Sequence, residues 1–417
     1  MFIKILILIG IILLIVFGFQ IRGSYHKQEQ YTISVIPINK GLNTLSINSL
    51  VASYPSILYV GTKEGVFKSI DRGDSWLPIN EGLGDFHEIK KLQYVEEMDN
   101  SDTIYLLTAG ILFRSKNGGI RWERVTPFYC IQNKRRITFP SVKDFFISDA
   151  ETATWQTSIY ALTYGKAPSL EEMKKGEQLY DKIYVANHKF LRGCGLKIND
   201  LCEEDLCEDW FSSPYVRNYS FDSPAGGLEK ILIIDEYRGI ILGRETGPIF
   251  FLSKDRGNSW RWLNFNEFGE DVSVLDVRSS VWYAKGNIKY IYASIKTEKG
   301  KLFLKSEDYG DTWKEVSRGE RIPEIFITSC YSGSGCNITG FTRIGKNYYL
   351  VRSTDYGKSW KISKNFLPEE IVERALTINL PLSTFFFDTF VSDPELENTL
   401  YLGTKNRGVF RIVISKE

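Results

Sequence analysis

The chain has 417 residues, 43% of them hydrophobic and 14% aromatic, with 52 Lys and Arg against 51 Asp and Glu and a formal net charge of +1. So balanced a charge gives no argument for nucleic acid or for an acidic surface as partner. No Pro-, Gly- or Ser-rich linker divides the sequence, so a length that would ordinarily mean two or three domains is read here as one repeat domain.

Residues 1–24 come first. Ile5 to Phe19 carries no polar side chain and is flanked by Lys4 and by Gln20 and Arg22. The segment is expected to be an apolar helix acting as a signal anchor, because Phe2 and Ile3 bring it near the ~20 residues a span needs and no A-x-A site comes after it. A cleaved signal peptide is the alternative. No Cys succeeds the run, which excludes a lipoprotein, and the flanking charges do not orient it.

From residue 31 onward the chain repeats. Ile57–Thr62 and Gly65–Ser69 read as two strands joined by a short turn, leading into Ser69-Ile-Asp71-Arg-Gly73-Asp-Ser-Trp76. This S-x-D-x-G-x-x-W pattern returns as Ser253/Asp255/Gly257/Trp260, Ser306/Asp308/Gly310/Trp313 and Ser353/Asp355/Gly357/Trp360. Ser115/Asn117/Gly119/Trp122 is a copy with Asn for Asp, and Glu203/Asp205/Cys207/Trp210 is a worn one. The side-chain oxygens of Asp, Asn and Ser accept hydrogen bonds from N–H groups of their own turn, Gly supplies a backbone angle other residues resist, and Trp buries a large surface on entering the next strand. The pattern is therefore a turn staple first.

The Asp or Asn positions 71, 117, 205, 255, 308 and 355 are spaced near the period of a four-stranded unit, except for one long step. That step is read as one enlarged third unit with strands at 143–148, 158–163, 183–191 and 210–216. It holds an insertion at about 164–182, where Ser169 and Glu172 form a capping box, and a Cys-bearing stretch at 193–209.

The two ends complement each other. Leu400–Thr404 and Gly408–Phe410 repeat the two-strand reading but lack a staple. Val35-Ile-Pro37-Ile-Asn39-Lys-Gly41-Leu42, near the other end, matches Leu77-Pro78-Ile-Asn80-Glu-Gly82-Leu83, the stretch just past the first staple. Residues 31–38 are thus expected as the outer strand of a unit built from about 385–415. The expected fold is all-β, a seven-bladed β-propeller over residues 31–417 closed by the N-terminal strand in the C-terminal blade. An open solenoid is the alternative, and its ends would have no reason to match.

Six cysteines, at 130, 194, 202, 207, 330 and 336, form an even set behind an export signal. Cys330 and Cys336 close a small loop and are the expected disulfide; the other four allow three pairings. A zinc site is disfavoured, because C-x-x-C spacing is lacking and the histidines are only His26, His87 and His188. No metal and no cofactor is expected.

These repeats resemble the Asp-box, or BNR, propellers over most of residues 31–415. Ser392-Asp393-Pro394, Asn398 to Tyr401 and Gly403 to Phe410 are most similar to the subgroup of photosystem II assembly-factor-like, sortilin-type and xyloglucan-degrading propellers. The resemblance implies that the boxes are structural turns away from any catalytic face. A sialidase would need an arginine triad with a Tyr nucleophile and a Glu partner, and the one R-I-P, Arg321-Ile322-Pro323, falls in the wrong blade. The xyloglucan-degrading enzymes set their two Asp residues between tandem propellers, and this chain has the repeats of one. Glu203/Glu204 and Glu369/Glu370 are read as solvated pairs.

The loops between second and third strands are expected on one face. They carry Lys63, Lys166, Arg244, Lys296, Lys299, Lys301, Arg343, Lys346, Lys405 and Arg407, against Glu64, Glu245 and Glu298 outside the insertion. Ordinary solvated loop charge is one reading. The other is a basic platform for an acidic segment or C-terminal carboxylate of a protein partner, with Arg244, Lys296, Lys299, Arg343, Lys346, Lys405 and Arg407 as its binding residues. The expected function is accordingly a non-catalytic, extracytoplasmic binding or assembly scaffold. A glycoside hydrolase and a carbohydrate-binding propeller using Trp155, Trp282 or Tyr348/Tyr349 are the alternatives.

Overall fold

The second and third strands of the repeats carry nearly unbroken apolar runs, such as Leu58-Tyr59-Val60 and Val66-Phe67, and these are buried. A strand buried on both faces needs a neighbouring sheet against each, which sets the architecture. The computed structural model describes residues 30–416 without 97–101, 128, 133–134, 139–140, 149–157, 164–181, 188–219, 223–227, 236–238, 245–249, 255–258, 260, 264, 281–289, 332–334, 369–370 and 372–388. Of the strands between 182 and 250 it describes the backbone alone.

The described residues form seven four-stranded antiparallel sheets and one two-stranded hairpin. Sheet I comprises Ile47–Ser53, Ile57–Thr62, Gly65–Ser69 and Leu77–Pro78; sheet II, Ile89–Glu96, Asp102–Thr108, Ile111–Ser115 and Glu123–Arg124; sheet III, Val142–Ser148, Ser158–Thr163, Lys182–Asn187 and Ser220–Asp222. Sheet IV comprises Leu228–Asp235, Gly239–Arg244, Phe250–Ser253 and Arg261–Leu263; sheet V, Ser273–Ser280, Tyr290–Thr297, Gly300–Ser306 and Lys314–Arg318; sheet VI, Ile325–Tyr331, Gly335–Ile344, Asn347–Ser353 and Lys361–Ile362. Sheet VII takes Phe390–Ser392, Thr399–Thr404 and Gly408–Lys416 from the C-terminal part and its fourth strand, Tyr31–Pro37, from the N-terminal part.

Each sheet packs on the next. Tyr59 and Val66 of sheet I meet Ile89 and Leu92 of sheet II, and Tyr105 and Leu107 of sheet II meet Phe145 and Ile147 of sheet III. The first strands of sheets III and IV run side by side. Leu252 and Leu263 then join Val274 and Ile291, Tyr292 and Phe303 join Phe326 and Ile338, and Phe341 and Leu350 join Leu402 and Ile412. Finally Tyr401 and Val409 of sheet VII pack with Ile47 and Leu58 of sheet I. The order is propeller-like, with four strands per sheet placed edge to edge from first to fourth.

Within a sheet the connections alternate between two sides. The hairpins joining second to third strands, and the connections leading from each fourth strand to the next sheet, share one side, here the hairpin side. The turns carrying the repeated Ser-x-Asp-x-Gly-x-x-Trp pattern lie at the opposite ends of the third strands, on the staple side.

Sheet III departs from expectation at its edge. Its fourth strand is Ser220–Asp222, not the predicted 210–216, which lies outside the described residues along with Asp205 and Trp210. Nothing in the repeat pattern announced it, because the worn staple does not lead directly into it. The hairpin of Tyr129–Gln132 and Arg135–Thr138 was also unforeseen; it is inserted on the hairpin side between sheets II and III. Segment 1–24 and nearly all of the insertion at 164–182 lie outside the described residues, as do Asp255 and Trp260. Among the described residues no helix is long and apolar enough to cross a membrane.

Candidate functional site

The staples show what the repeated residues do. The Ser69 hydroxyl donates to Asp71 Oδ1 (2.7 Å) and accepts the Gly73 N–H (2.7 Å), while Asp71 Oδ1 accepts the Ser75 N–H (2.8 Å). The same bonds recur at Ser306/Asp308/Gly310/Thr312 and Ser353/Asp355/Gly357/Ser359. Asn117 does the same with Ser115 and Arg121, so the missing charge leaves the geometry intact. Burial opposes ionisation of Asp308, but hydrogen bonds from Thr312 and Ser306 outweigh it and bring its pKa down to about 2.

Each staple also receives the sheet before it. Trp76 Nε1 donates to Ile38 O and Trp122 Nε1 to Ile79 O, both at 2.7 Å, and Trp360 Nε1 donates to Ser317 Oγ at 3.0 Å. Trp313 meets Phe265 edge to face, with centroids 5.1 Å apart. Lys68 donates to Gly118 O, Lys254 to Asp308 O, Arg261 to Gly310 O and Ser317 to Gly357 O. Lys305 instead lies 3.5 Å from the Tyr290 ring centroid and 5.7 Å from that of Tyr356, in the next staple. The carbonyls of these turns are thus engaged in stitching sheet to sheet, while their repeated aspartates bond within the turn.

Buried carboxylates elsewhere are engaged too. Asp144 pairs with Lys91 at 2.8 Å, joining sheets II and III. Asp276 Oδ2 accepts Arg278 Nε–H and the Phe326 N–H of the next sheet, both at 3.0 Å. Complete burial pushes the Asp276 pKa up to about 7, with Arg278 and the N–H groups of Phe326 and Val277 offsetting part of the effect. Asp393 accepts from Tyr401 (2.6 Å), Ser56 (2.7 Å) and the N–H groups of Glu395 and Leu396 (both 2.9 Å). Burial works against the Asp393 charge, but these donors prevail and hold its pKa below the usual carboxylate range. Among the described residues no group of His, Cys, Asp and Glu is placed to hold a metal.

Exposed cationic side chains gather on the hairpin side. A Thr at the end of the second strand builds the tips: Thr62, Thr297 and Thr404 each donate to the carbonyl of the Gly that opens the third strand (2.9–3.0 Å). Each hydroxyl also accepts a tip N–H, from Glu64, Lys299 and Arg407 respectively. Those glycines have φ of +119°, +114° and +78°, the left-handed region that a side chain resists. The turns thereby push Lys63, Glu64, Glu298, Lys299, Lys405 and Arg407 into solvent.

Lys296, Lys299, Arg343, Lys346, Lys405 and Arg407 are all exposed, and they belong to the consecutive sheets V, VI and VII. Lys301, expected with them, is turned inward: its ammonium bonds to Thr342 Oγ1 (2.9 Å), Arg343 O (3.1 Å) and Glu324 (2.7 Å). It is neutralised, and it does not belong to the face. Arg244 ends the second strand of sheet IV opposite Leu228, its side chain outside the described residues. Cys330 and Cys336 are direct partners across the first two strands of sheet VI, their side chains also outside the described residues.

Sequence reasoning read only the hairpins and missed the other half of this side. The connections between sheets add exposed Glu81, Asp85 and Glu88 before sheet II, Glu267, Glu270 and Asp271 before sheet V, and Glu320 before sheet VI. Among the described residues, acidic side chains thus also stand beside the cations of this side, four of them at sheets V and VI. A second omission is a register shift at the hairpin-side start of the first strand in sheets I to V. Such bulges re-aim side chains, and the extra residue is Lys90 in sheet II and Lys143 in sheet III.

No protein-family model matches the chain, and no curated protein matches it. Among solved structures it is similar to a GH74 xyloglucanase from Xanthomonas campestris, with 14% identity and a TM-score of 0.47 over 91% of this chain and 53% of that one. YCF48 from Cyanidioschyzon merolae gives 12% identity and a TM-score of 0.45 over 91% and 98% of the two chains. The extracellular domain of a putative one component system from B. thetaiotaomicron gives 10% and 0.46 over 91% and 39%. The chain spans about half the length of the xyloglucanase it resembles.

Proposed function

We propose that the chain is a closed, seven-bladed Asp-box propeller, extracytoplasmic and held at the membrane by its N-terminal segment, that serves as a non-catalytic binding scaffold. Its binding surface is the arc of Lys296, Lys299, Arg343, Lys346, Lys405 and Arg407, and its partner is a protein with an acidic segment or a C-terminal carboxylate. The observation that carries this reading is the separation of roles: staple aspartates are bonded within their own turns and buried carboxylates to the neighbouring sheet, while six exposed cations stand on three consecutive hairpins. Arg343 adds direction, since its guanidinium lies 5.6 Å from the Tyr348 ring centroid and its Nε donates to Gly345 O (3.2 Å).

The test uses a fluorescent Asp/Glu-rich peptide with a free C-terminus, titrated with the full chain at low and high salt. Binding should weaken as salt rises, because exposed charges are screened beyond about 8 Å at physiological ionic strength, and Lys405→Glu with Arg407→Glu should abolish it. Equal binding by the double variant would refute the assignment. The Cys330–Cys336 disulfide is part of the same proposal, since directly paired strand positions bring Cα atoms to about 4.5–5.5 Å, within disulfide range.

A further inference from the structure

We infer that the staple side of sheets VII, I and II rests on a lipid bilayer, so that the chain's own N-terminal segment and an apolar patch hold one face down and turn the hairpin side outward. This rests on the proposed membrane attachment of the N-terminal segment and concerns the side opposite the partner surface.

Four large apolar side chains stand exposed on adjoining staple-side turns: Tyr54 (64%), Ile70 (73%), Ile120 (65%) and Leu396 (43%). The turns that bear them are tied together. Arg72, two residues from Ile70, bonds to Glu395 beside Leu396 (2.5 Å), and Ser56, two residues from Tyr54, bonds to Asp393 and Glu395 (2.7 and 2.9 Å). Lys68 of sheet I holds the turn of Ile120 through Gly118 O (3.0 Å). The turns that bear these apolar groups are thus fixed to one another across three neighbouring sheets. Of the other exposed large apolar residues, Leu45 and Phe366 are on the hairpin side and belong to different connections.

Isolated apolar groups on a surface need no explanation, but a supported cluster marks an interaction surface. The entry point of the chain selects the lipid. Tyr31, the first residue of the N-terminal strand, pairs with Lys416 at the staple-side end of the last strand, and Pro37 pairs with Phe410 nearer the hairpins. Whatever precedes Tyr31 therefore arrives from the staple side. The apolar run ends at Phe19, and residues 20–30 extend at most roughly 36–40 Å, which keeps Tyr31 within that distance of the run. An amphipathic Tyr and large aliphatic residues suit the headgroup boundary.

The full chain, reconstituted in phosphatidylcholine–phosphatidylglycerol vesicles, would carry a photoreactive benzophenone amino acid at position 70, 120 or 346. Lipid adducts at 70 and 120, several-fold above those at 346, are expected. Equal labelling at the three positions, crosslinks from 70 and 120 to protein instead of lipid, or a chain that does not stay with the vesicles would each overturn the inference. Peptide binding by the hairpin arc is measured separately, so its failure would leave this result standing.

Discussion

Tyr401 gives its hydroxyl hydrogen to Asp393 at 2.6 Å, and the same carboxylate accepts Ser56 of sheet I, so one buried acid joins the C-terminal sheet to the first. Arg72 completes the latch from the first staple, 2.5 Å from Glu395. The seam between sheets VII and I is thus held by a buried acid and an ion pair. Tyr401→Phe removes a short hydrogen bond to a buried charge and is expected to cost about 1.5–3 kcal/mol, read as a lowered urea midpoint with unchanged slope.

Gly357, in a staple, should be less replaceable than Gly300, in a hairpin. A Cβ at Gly357 would lie 2.5 Å from the Phe303 ring, whereas one at Gly300 meets nothing within 4 Å, although both have positive φ. Gly300→Ala should cost about 1–2 kcal/mol from backbone conformation alone. Gly357→Ala should add about 1–3 kcal/mol of overpacking, and thermal unfolding of the two variants side by side measures the difference.

Two kinds of aspartate should give opposite pH dependence. The Asp308 pKa is depressed to about 2, so its contribution is present above the unfolded value near 4 and is lost as pH falls through 2. The Asp276 pKa is raised to about 7, so the folded state is favoured below the unfolded value and loses that advantage as pH rises through 7. Asp276→Asn should flatten the stability profile between about pH 4 and 7, in urea titrations run across that range.

Lys91 and Asp144 are both buried and 2.8 Å apart, and Lys91 also bonds Phe145 O at 2.6 Å. Removing one partner strands the other charge, so Lys91→Met is expected to cost about 3–5 kcal/mol. The double variant with Asp144→Leu should recover much of that loss, which a double-mutant cycle in urea would show.

Legibility in the sequence tracks repetition. Strands at Ile57–Thr62, Gly65–Ser69 and Thr399–Thr404 were visible because a staple or its remnant punctuates each pair, and the match of Asn39 with Asn80 announced the shared sheet. Both asparagines accept the N–H of the residue after the Gly that opens a third strand, Asn80 from Val66 and Asn39 from Val409, each at 2.7 Å. Ser220–Asp222 and the 129–138 hairpin were hidden because no periodic residue marks them. In the candidate site, Lys299 and Arg407 were legible as turn residues beside Thr and Gly. Lys301 was misread because its neighbour two positions back looks identical in composition, and only the strand geometry beyond the Thr297 turn sends one out and the other toward Glu324. Acidic residues such as Glu81 and Asp271 were overlooked because they belong to connections between repeats.

The most direct measurement places photocrosslinkers at Lys346 and Lys405 of the full chain in cells that express it and identifies the captured molecule. One protein is expected, joined through an acidic segment and lost when Lys405 and Arg407 are replaced by Glu. Capture of no protein, together with cleavage of a glycan by the purified chain, would contradict it.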